Sequence, residues 1–441
     1  MEEYRLPALM NKNAHPAVTF SEALTFWLKL GFISFGGPAG QIAIMHRVLV
    51  DEKKWIEEQR FLHALNFCML LPGPEAQKLA TYVGWLLHGT RGGLAAGILF
   101  VLPGALVMLA LSALYALGRG IPAVEGALFG IKAAVLVIVV EALLRIGRRA
   151  LKTRLLIGVA GAAFLGIFFL GLPFPLIVLA AGLAGFFLAE ARAGEAAPPV
   201  SGRWRHAAIA AAAGLALWWA PVAAVVLLLG PGHVLADIGL FFSKLAVVSF
   251  GGAYALLAYM AQQAVETYHW MSAPEMVDGL GLAETTPGPL ILVTQFVGFL
   301  AAYRDAAPFS PVAAGVIGSA LTTWVTFVPA MLLIFAGAPF VEQLRANQRL
   351  SGALAAITAA VVGVILNLTV WFALHVLFGQ VEEVHAGPLR WYAFDPFALD
   401  LKVAALALLA AALAFGLHRG LVELVLIMAA LGIAIRLLLP L

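Results

Sequence analysis

Two lysines stand the same distance ahead of a glycine pair in two apolar stretches. In "KLGFISFGGPAGQ" Lys29 precedes Ser34, Phe35, Gly36, Gly37 and Pro38. In "KLAVVSFGGAYAL", 215 positions later, Lys244 precedes Ser249, Phe250, Gly251 and Gly252. Two further breaks match at that offset: Pro72-Gly73-Pro74, followed by Glu75, and Pro287-Gly288-Pro289, preceded by Glu284, Thr285 and Thr286. Proline suits the first position of a helix, so Pro38, Pro74 and Pro289 are each expected to open a half-helix. Such an end offers unpaired N–H groups and about half a positive charge, and glycine lets an oxyanion approach the backbone closely. The chemistry expected is therefore anion binding without catalysis; packing kinks with no ligand are the alternative. An intramembrane lysine costs about 2.5–3.5 kcal/mol and faces a partner or a cavity. Lys29 and Lys244 are expected to face the anion path, against snorkelling to an interface, and Lys78 is a further candidate. Glu75 either stabilises its helix N-terminus or carries a coupling proton or cation, or sets selectivity. Glu284 flanks the other break, with Thr285 and Thr286 as hydroxyl donors.

The element that must hold these residues is membrane-spanning. The 441 residues are 62% hydrophobic and 12% charged, with mean hydropathy +0.96, against about 45–50% and 25% in soluble domains. The short alternating strands of an outer-membrane barrel are absent. An all-α polytopic fold is expected. Apolar runs of about 17–25 residues place thirteen segments, near 20–49, 61–88, 93–117, 125–144, 155–171, 173–189, 206–229, 237–264, 273–303, 308–338, 351–378, 395–416 and 420–440. No cleavable leader is expected in residues 1–19. The basic run Arg145, Arg148, Arg149, Lys152 and Arg154 is expected in the cytoplasm, which puts the N-terminus inside and the C-terminus outside. The loop from Arg47 to Arg60 conflicts with that count, because it sets four basic residues outside.

Trp55 matches Trp270 at the 215 offset, and Pro103 matches Pro329 at an offset of 226. The chain therefore divides into a cytoplasmic segment 1–19, a repeat 20–190, a linker and extra span 191–235, and a second repeat 236–440. Seven segments precede the second repeat. An odd number turns it upside down, the architecture of secondary transporters with broken helices at a shared site.

Other functions find little support. The net charge of +3 does not suggest nucleic acid. The lone Cys68 excludes an internal disulfide, no P-loop or metal-pair motif occurs, and His46 and His63 read as isolated structural histidines. No cofactor and no metal is expected. Glu141 and Arg145 read as a helix-end ion pair, and Trp55 and Trp270 as interfacial anchors.

The motifs "FISFGGPAGQIAIMHR", "LPGPEAQKLATYVGWLLHGTRGG" and "LFVLPGALVMLALSALY" resemble the long-chain chromate transporter family, as do "SFGG" and "TTPGPL" in the second half. The resemblance implies an inner-membrane exporter of chromate conferring resistance, with no enzymatic activity. It marks Phe35, Gly36, Gly37, Pro38, Pro72, Gly73, Pro74 and Glu75, and Phe250, Gly251, Gly252, Pro287, Gly288 and Pro289. Ala253 stands where the first half has Pro38. Export suits a dianion, since an inside-negative potential contributes about 2.3 kcal/mol per charge per 100 mV. Partners implied are chromate or a similar oxyanion and the lipid bilayer; a homodimer is left open. A sulfate carrier is the nearest alternative, then a channel, then a membrane-embedded enzyme.

Overall fold

Thr19 starts the first helix by accepting the Glu22 N–H on its hydroxyl at 3.3 Å. The computed structural model of the chain describes residues 18–35, 37–118, 120–188, 204–250, 253–337 and 348–438. Residues 1–17 and 189–203, with most of the expected linker, lie outside them. Helix α1 (Phe20–Ile33) ends at Ser34, and α2 (Gly37–His46) continues as a π-turn over Arg47–Glu52. The chain has by then doubled back. Lys53 Nζ lies 3.1 Å from Glu22 Oε1, and the Trp55 ring meets Phe26 edge-on at 5.4 Å. Helix α3 (Glu58–Leu70) enters from the same face and stops at the Pro-Gly-Pro break. The first arm of α4 (Glu75–Leu117) returns to His88, whose Nε2 lies 2.9 Å from Val18 O. His88 and Gly89 leave helical geometry (Gly89 φ +62°, ψ −154°) and reverse α4. Gly84 and Gly92 then lie back to back, where a Cβ on either would collide with the other's carbonyl.

The second half repeats this pattern. It contains α9 (Val234–Val248), α10 (Ala253–Gln262) with a π-turn over Gln263–Thr267, α11 (Ala273–Thr285), and α12 (Val293–Arg304) behind a 3-10 turn at Leu290–Leu292. A Ser272/Glu275 capping box opens α11, and Arg304 Nη2 reaches Glu275 Oε1 at 2.6 Å. Tyr268 and Trp270 stack at 4.3 Å and both meet Phe241 midway along α9, while His233 Nε2 at the start of α9 lies 2.7 Å from Ala307 O just past α12. All four helix ends therefore share one mouth.

The two mouths lie on opposite faces. The second arm of α4 runs from the first mouth until Tyr115 donates to Asp278 Oδ2 at 2.9 Å beside the second. Helix α13 (Pro311–Gly337) runs the other way and brings Phe335 against Gly93. Around them stand α5 (Pro122–Ala150), α6 (Arg154–Leu170), α7 (Phe174–Leu188), α8 (Trp204–Leu229), α14 (Gln348–Leu377), α15 (Leu401–Ala411) with a π-turn to Gly416, and α16 (Leu421–Leu438). Gly126 and Gly130 of α5 meet Gly432 of α16 backbone to backbone, the small-residue packing that draws helices together in lipid. A hairpin of β1 (Val381–Ala386) and β2 (Leu389–Phe394) sits on the second face.

Four of the thirteen expected segments thus do not cross. The runs 20–49, 61–88, 237–264 and 273–303 fold as hairpins. Their helices have 10 to 15 residues, and each pair turns at a tip inside the protein and doubles back to the mouth it came from. The helices long and apolar enough to span are α4, α5, α8, α13, α14 and α16. Among the shorter apolar helices, α6 ends at Arg390 of the β-hairpin, Gly185 near the end of α7 meets Gly352 at the start of α14, and α15 starts beside the end of α14, where Asp400 N donates to Leu377 O. The second half is inverted all the same, because two hairpins replace two expected spans before it and the parity is kept.

Candidate functional site

The hairpin tips meet between the two mouths. Gly288 N donates to Ser34 O at 2.8 Å, and Gly73 N donates to Ser249 O at 3.0 Å. Exchanging the halves turns either bond into the other. Gly73 (φ +102°) and Gly288 (φ +94°) hold the same left-handed turn, which side chains other than glycine's rarely accept. Behind each tip stands the opposite half again. Gly288 lies against Gly104, after Pro103, and Gly73 against Ala330, after Pro329.

A narrow cavity opens at this junction, part of it continuous with the outside. The first half lines it with Pro38, Gln41, Gly73, Pro74, Glu75 and Ala76; the second lines it with Ser249, Leu256, Pro289, Leu290 and Ile291. Helices α2 and α4 and the turn leading into α12 all start here, so first-turn N–H groups without intrahelical partners surround it. Gln41 is fully buried. Its Nε2 donates to Gly288 O at 2.6 Å and to Ser34 O at 3.3 Å, tying one tip to the other, while its Oε1 has no partner. Sequence reasoning passed over Gln41, whose counterpart at the 215 offset, Leu256, lines the same cavity; that asymmetry was the available signal.

The other candidates fall in several places. Lys78 is fully buried and its Nζ donates to Leu71 O, capping the end of α3. Lys29 is exposed beside Leu28 and Phe32, and Lys244 beside Leu240 and Val247, with its Nζ 5.8 Å from the Tyr259 ring centre. Neither lysine lines the cavity. Glu284 is buried and accepts from Tyr254 Oη at 2.9 Å. The hydroxyls of Thr285 and Thr286 both donate to Leu282 O at 2.7 Å, so their protons are committed to the helix. Ser249 Oγ donates to Ala246 O, whereas Ser34 Oγ is buried without a partner. Phe35, Gly37, Pro72 and Phe250 are half-buried, and Pro287 O meets Gly104. Gly36, Gly251 and Gly252 lie outside the described residues.

Four features away from the tips complete the picture. Lys132 Nζ lies 3.3 Å from Asp278 Oδ1, a half-buried bridge between the halves that the sequence did not reveal. Glu141 and Arg145 pair at 3.8 Å. His46 is not isolated: Nε2 lies 2.5 Å from Glu58 Oε2 and Nδ1 lies 3.5 Å from Asp51 Oδ2, which clips α2 to α3 at the first mouth. Trp55 and Trp270 are buried in the protein at the two mouths, so they brace the hairpins from within.

Inverted halves with broken helices meeting at a shared cavity define a membrane transporter. The chain belongs to the chromate transporter family, whose model matches residues 21–186 and 236–435. It is 34% identical to a "Chromate transport protein" of Pseudomonas aeruginosa over 80% of this chain and 81% of that one. It is 28% identical to a protein of the same name in Cupriavidus metallidurans, over 81% and 84%. It is 26% identical to a "Probable chromate transport protein" of Synechococcus elongatus, over 81% and 86%. No solved structure matches.

Proposed function

We propose that the chain exports chromate from the cytoplasm across the inner membrane by alternating access, with the anion bound at the tip junction. The observation that carries this reading is the crosswise pair of tip hydrogen bonds, Gly288 N to Ser34 O and Gly73 N to Ser249 O. Two equivalent bonds flank one cavity, so rocking one half against the other can open it to either side, with Gln41 holding one of the two contacts more firmly. The first-turn N–H groups supply donors for oxo oxygens.

Direction follows from charge. The hairpin geometry returns Arg47, Lys53, Lys54 and Arg60 to the same face as Arg145, Arg148, Arg149, Lys152 and Arg154, and the face richest in basic residues is cytoplasmic. The N-terminus then lies inside and the C-terminus outside. The membrane potential drives an anion outwards from there, by about 2.3 kcal/mol per charge per 100 mV. Lys29 and Lys244 occupy matching positions on hairpins that enter from opposite faces, and each raises the local anion concentration on its own side.

The test is labelled chromate uptake into everted membrane vesicles with an imposed inside-positive potential. Wild type accumulates chromate. Lys29→Met with Lys244→Met raises the KM several-fold at low salt and loses that effect at high salt. Sulfate movement without chromate movement would replace the substrate; movement of neither would remove the transport reading.

A further inference from the structure

We propose that Asp278, held by Lys132 and Tyr115, is the outer gate of the carrier. The structure is then its cytoplasm-open state, in which the anion enters along the uncovered face of α3. The inference rests on the reading that the chain exports an anion by alternating access; it assigns the residues that close one side and the path that leads in from the other.

The outer side is sealed where the halves meet. Asp278 of α11 is buried. The Tyr115 hydroxyl donates to its Oδ2 at 2.9 Å, and Lys132 Nζ lies 3.3 Å from its Oδ1. Two first-half residues thus grip one second-half carboxylate. Ionisable residues at membrane depth pair with partners and serve the working parts of transporters. One turn further along α11, Gly281 lies against Ile131 and Val135 of α5, where a Cβ would collide with Ile131.

The inner side does not repeat this seal. At the repeat offsets His63 stands for Asp278, Thr358 for Lys132, Val341 for Tyr115 and Asn66 for Gly281. The Thr358 hydroxyl donates to Leu354 O of its own helix. Every residue of α11 from Glu275 to Glu284 is buried, whereas at the equivalent positions of α3 Arg60, Leu62, His63, Asn66 and Met69 are exposed. Gln59, His63 and Asn66 are spaced by four and three, along one helix face. Polar groups in lipid are costly, so this face borders water. Helix α3 ends at the Pro72-Gly73-Pro74 break, so the polar row leads from the first mouth towards the tip junction.

Outward opening exchanges the roles of the halves. Helix α11 leaves α5, Lys132 and Asp278 part, and α3 closes towards α14, which carries Thr358. A hydrogen bond, an ion pair and a close glycine approach hold the outer side, and the sequence repeats none of the three inside. The empty carrier therefore rests open to the cytoplasm. That bias suits an exporter, because it returns the emptied carrier to the side where the anion is loaded.

The experiment places single cysteines at Asn66 on α3 and at buried Val135 on α5, with Cys68 replaced by serine, and labels them with an impermeant maleimide in intact and everted membranes. With the gate unaltered, Asn66→Cys should react from the cytoplasmic side only and Val135→Cys from neither side. Adding Asp278→Asn, which keeps the shape and removes the charge, should slow Asn66→Cys several-fold and open Val135→Cys to reagent from outside. The apparent KM for chromate at the cytoplasmic face should rise by the same factor, because both follow the fraction of carriers open inwards. Exchanging the charges, Lys132→Asp with Asp278→Lys, should restore both readouts. If Asn66→Cys reacts from neither side, lipid or a second copy covers α3 and the proposal is overturned. That reading uses the unaltered gate and holds whether or not the gate variants fold. Asp278→Asn with unchanged labelling and KM overturns it equally. Absence of chromate accumulation with the gate unaltered, while Asn66→Cys still labels, would instead remove the transport reading itself.

Discussion

Lys78 shows how a charge can serve a break without serving its ligand. The end of α3 leaves carbonyls without helical partners, and Lys78 Nζ, fully buried, donates to one of them at Leu71. A cation there also faces the negative end of the helix dipole. Removing the donor leaves a buried carbonyl unpaired, at a cost of about 1–3 kcal/mol. Lys78→Met should therefore lower the melting temperature of the purified protein by several degrees while leaving chromate KM in the surviving fraction unchanged. A variant that melts like wild type yet no longer binds chromate would move Lys78 into the site. At this scale the sequence was legible where identity repeats: matched Ser, Gly and Pro positions pointed to the tips before any contact was known. Gln41 was not legible in that way. Its meaning comes from Gly288, 247 positions distant, and only the fold creates that contact.

At the scale of elements, run length deceived and break position informed. A hairpin of two short helices and a single long span both read as an unbroken apolar run, and hydropathy has no term for reversal. The central Gly-Gly and Pro-Gly-Pro motifs were the mark of reversal, read as breaks that open half-helices within spans. The β-hairpin left even less trace, because its anchoring is tertiary. Arg390 in β2 is buried against Ile167 O and Phe168 O, 3.1 Å from Glu383 Oε1 and 3.6 Å from Glu266 Oε2, and Tyr392 Oη donates to Glu266 Oε1 at 3.3 Å. The strand thereby joins α6 to the mouth of the α9–α10 hairpin. Burial, and then the Glu383 carboxylate, push the Glu266 carboxyl above its ordinary value, with Arg390 opposing. A carboxyl raised in the docked state stabilises docking fully below its free pKa and loses that contribution as pH rises through the raised one. Hydrogen exchange in residues 381–394, corrected for intrinsic rate, should therefore show protection falling as pH rises through the acid range, and Glu266→Gln should flatten the fall. Identical profiles for the two proteins would refute the assignment. Arg390→Leu leaves two carboxylates facing each other without their cation where both are ionised, at a cost of about 3–5 kcal/mol, and should abolish protection near neutral pH.

For the whole molecule, the hairpins decide which side each loop occupies. Thirteen full crossings would put Lys54, in the loop after α2, on the opposite side from Lys152. With hairpins, the second arm of α4 and α5 alone lie between the loop 47–60 with its returning hairpin and the loop 145–154. The loop 47–60 joins the 145–154 loop, and the conflict with the basic-residue rule disappears because it came from counting hairpins as spans. Parity hides the change elsewhere, since replacing two spans per half leaves the inversion and both termini where the sequence count had put them. Only loops between the hairpins can tell the two topologies apart, and each half has one. On a background with buried Cys68 replaced by serine, single cysteines at Lys54, Lys152 and Glu382 supply the measurement, using an impermeant maleimide on intact and on everted membranes. Lys54→Cys and Lys152→Cys should label together from the cytoplasmic side, and Glu382→Cys, in β1, from the other. If Lys54→Cys labels with Glu382→Cys, the first tip is not a tip, and the crosswise bonds at Ser34 and Gly288 have no hairpin to join.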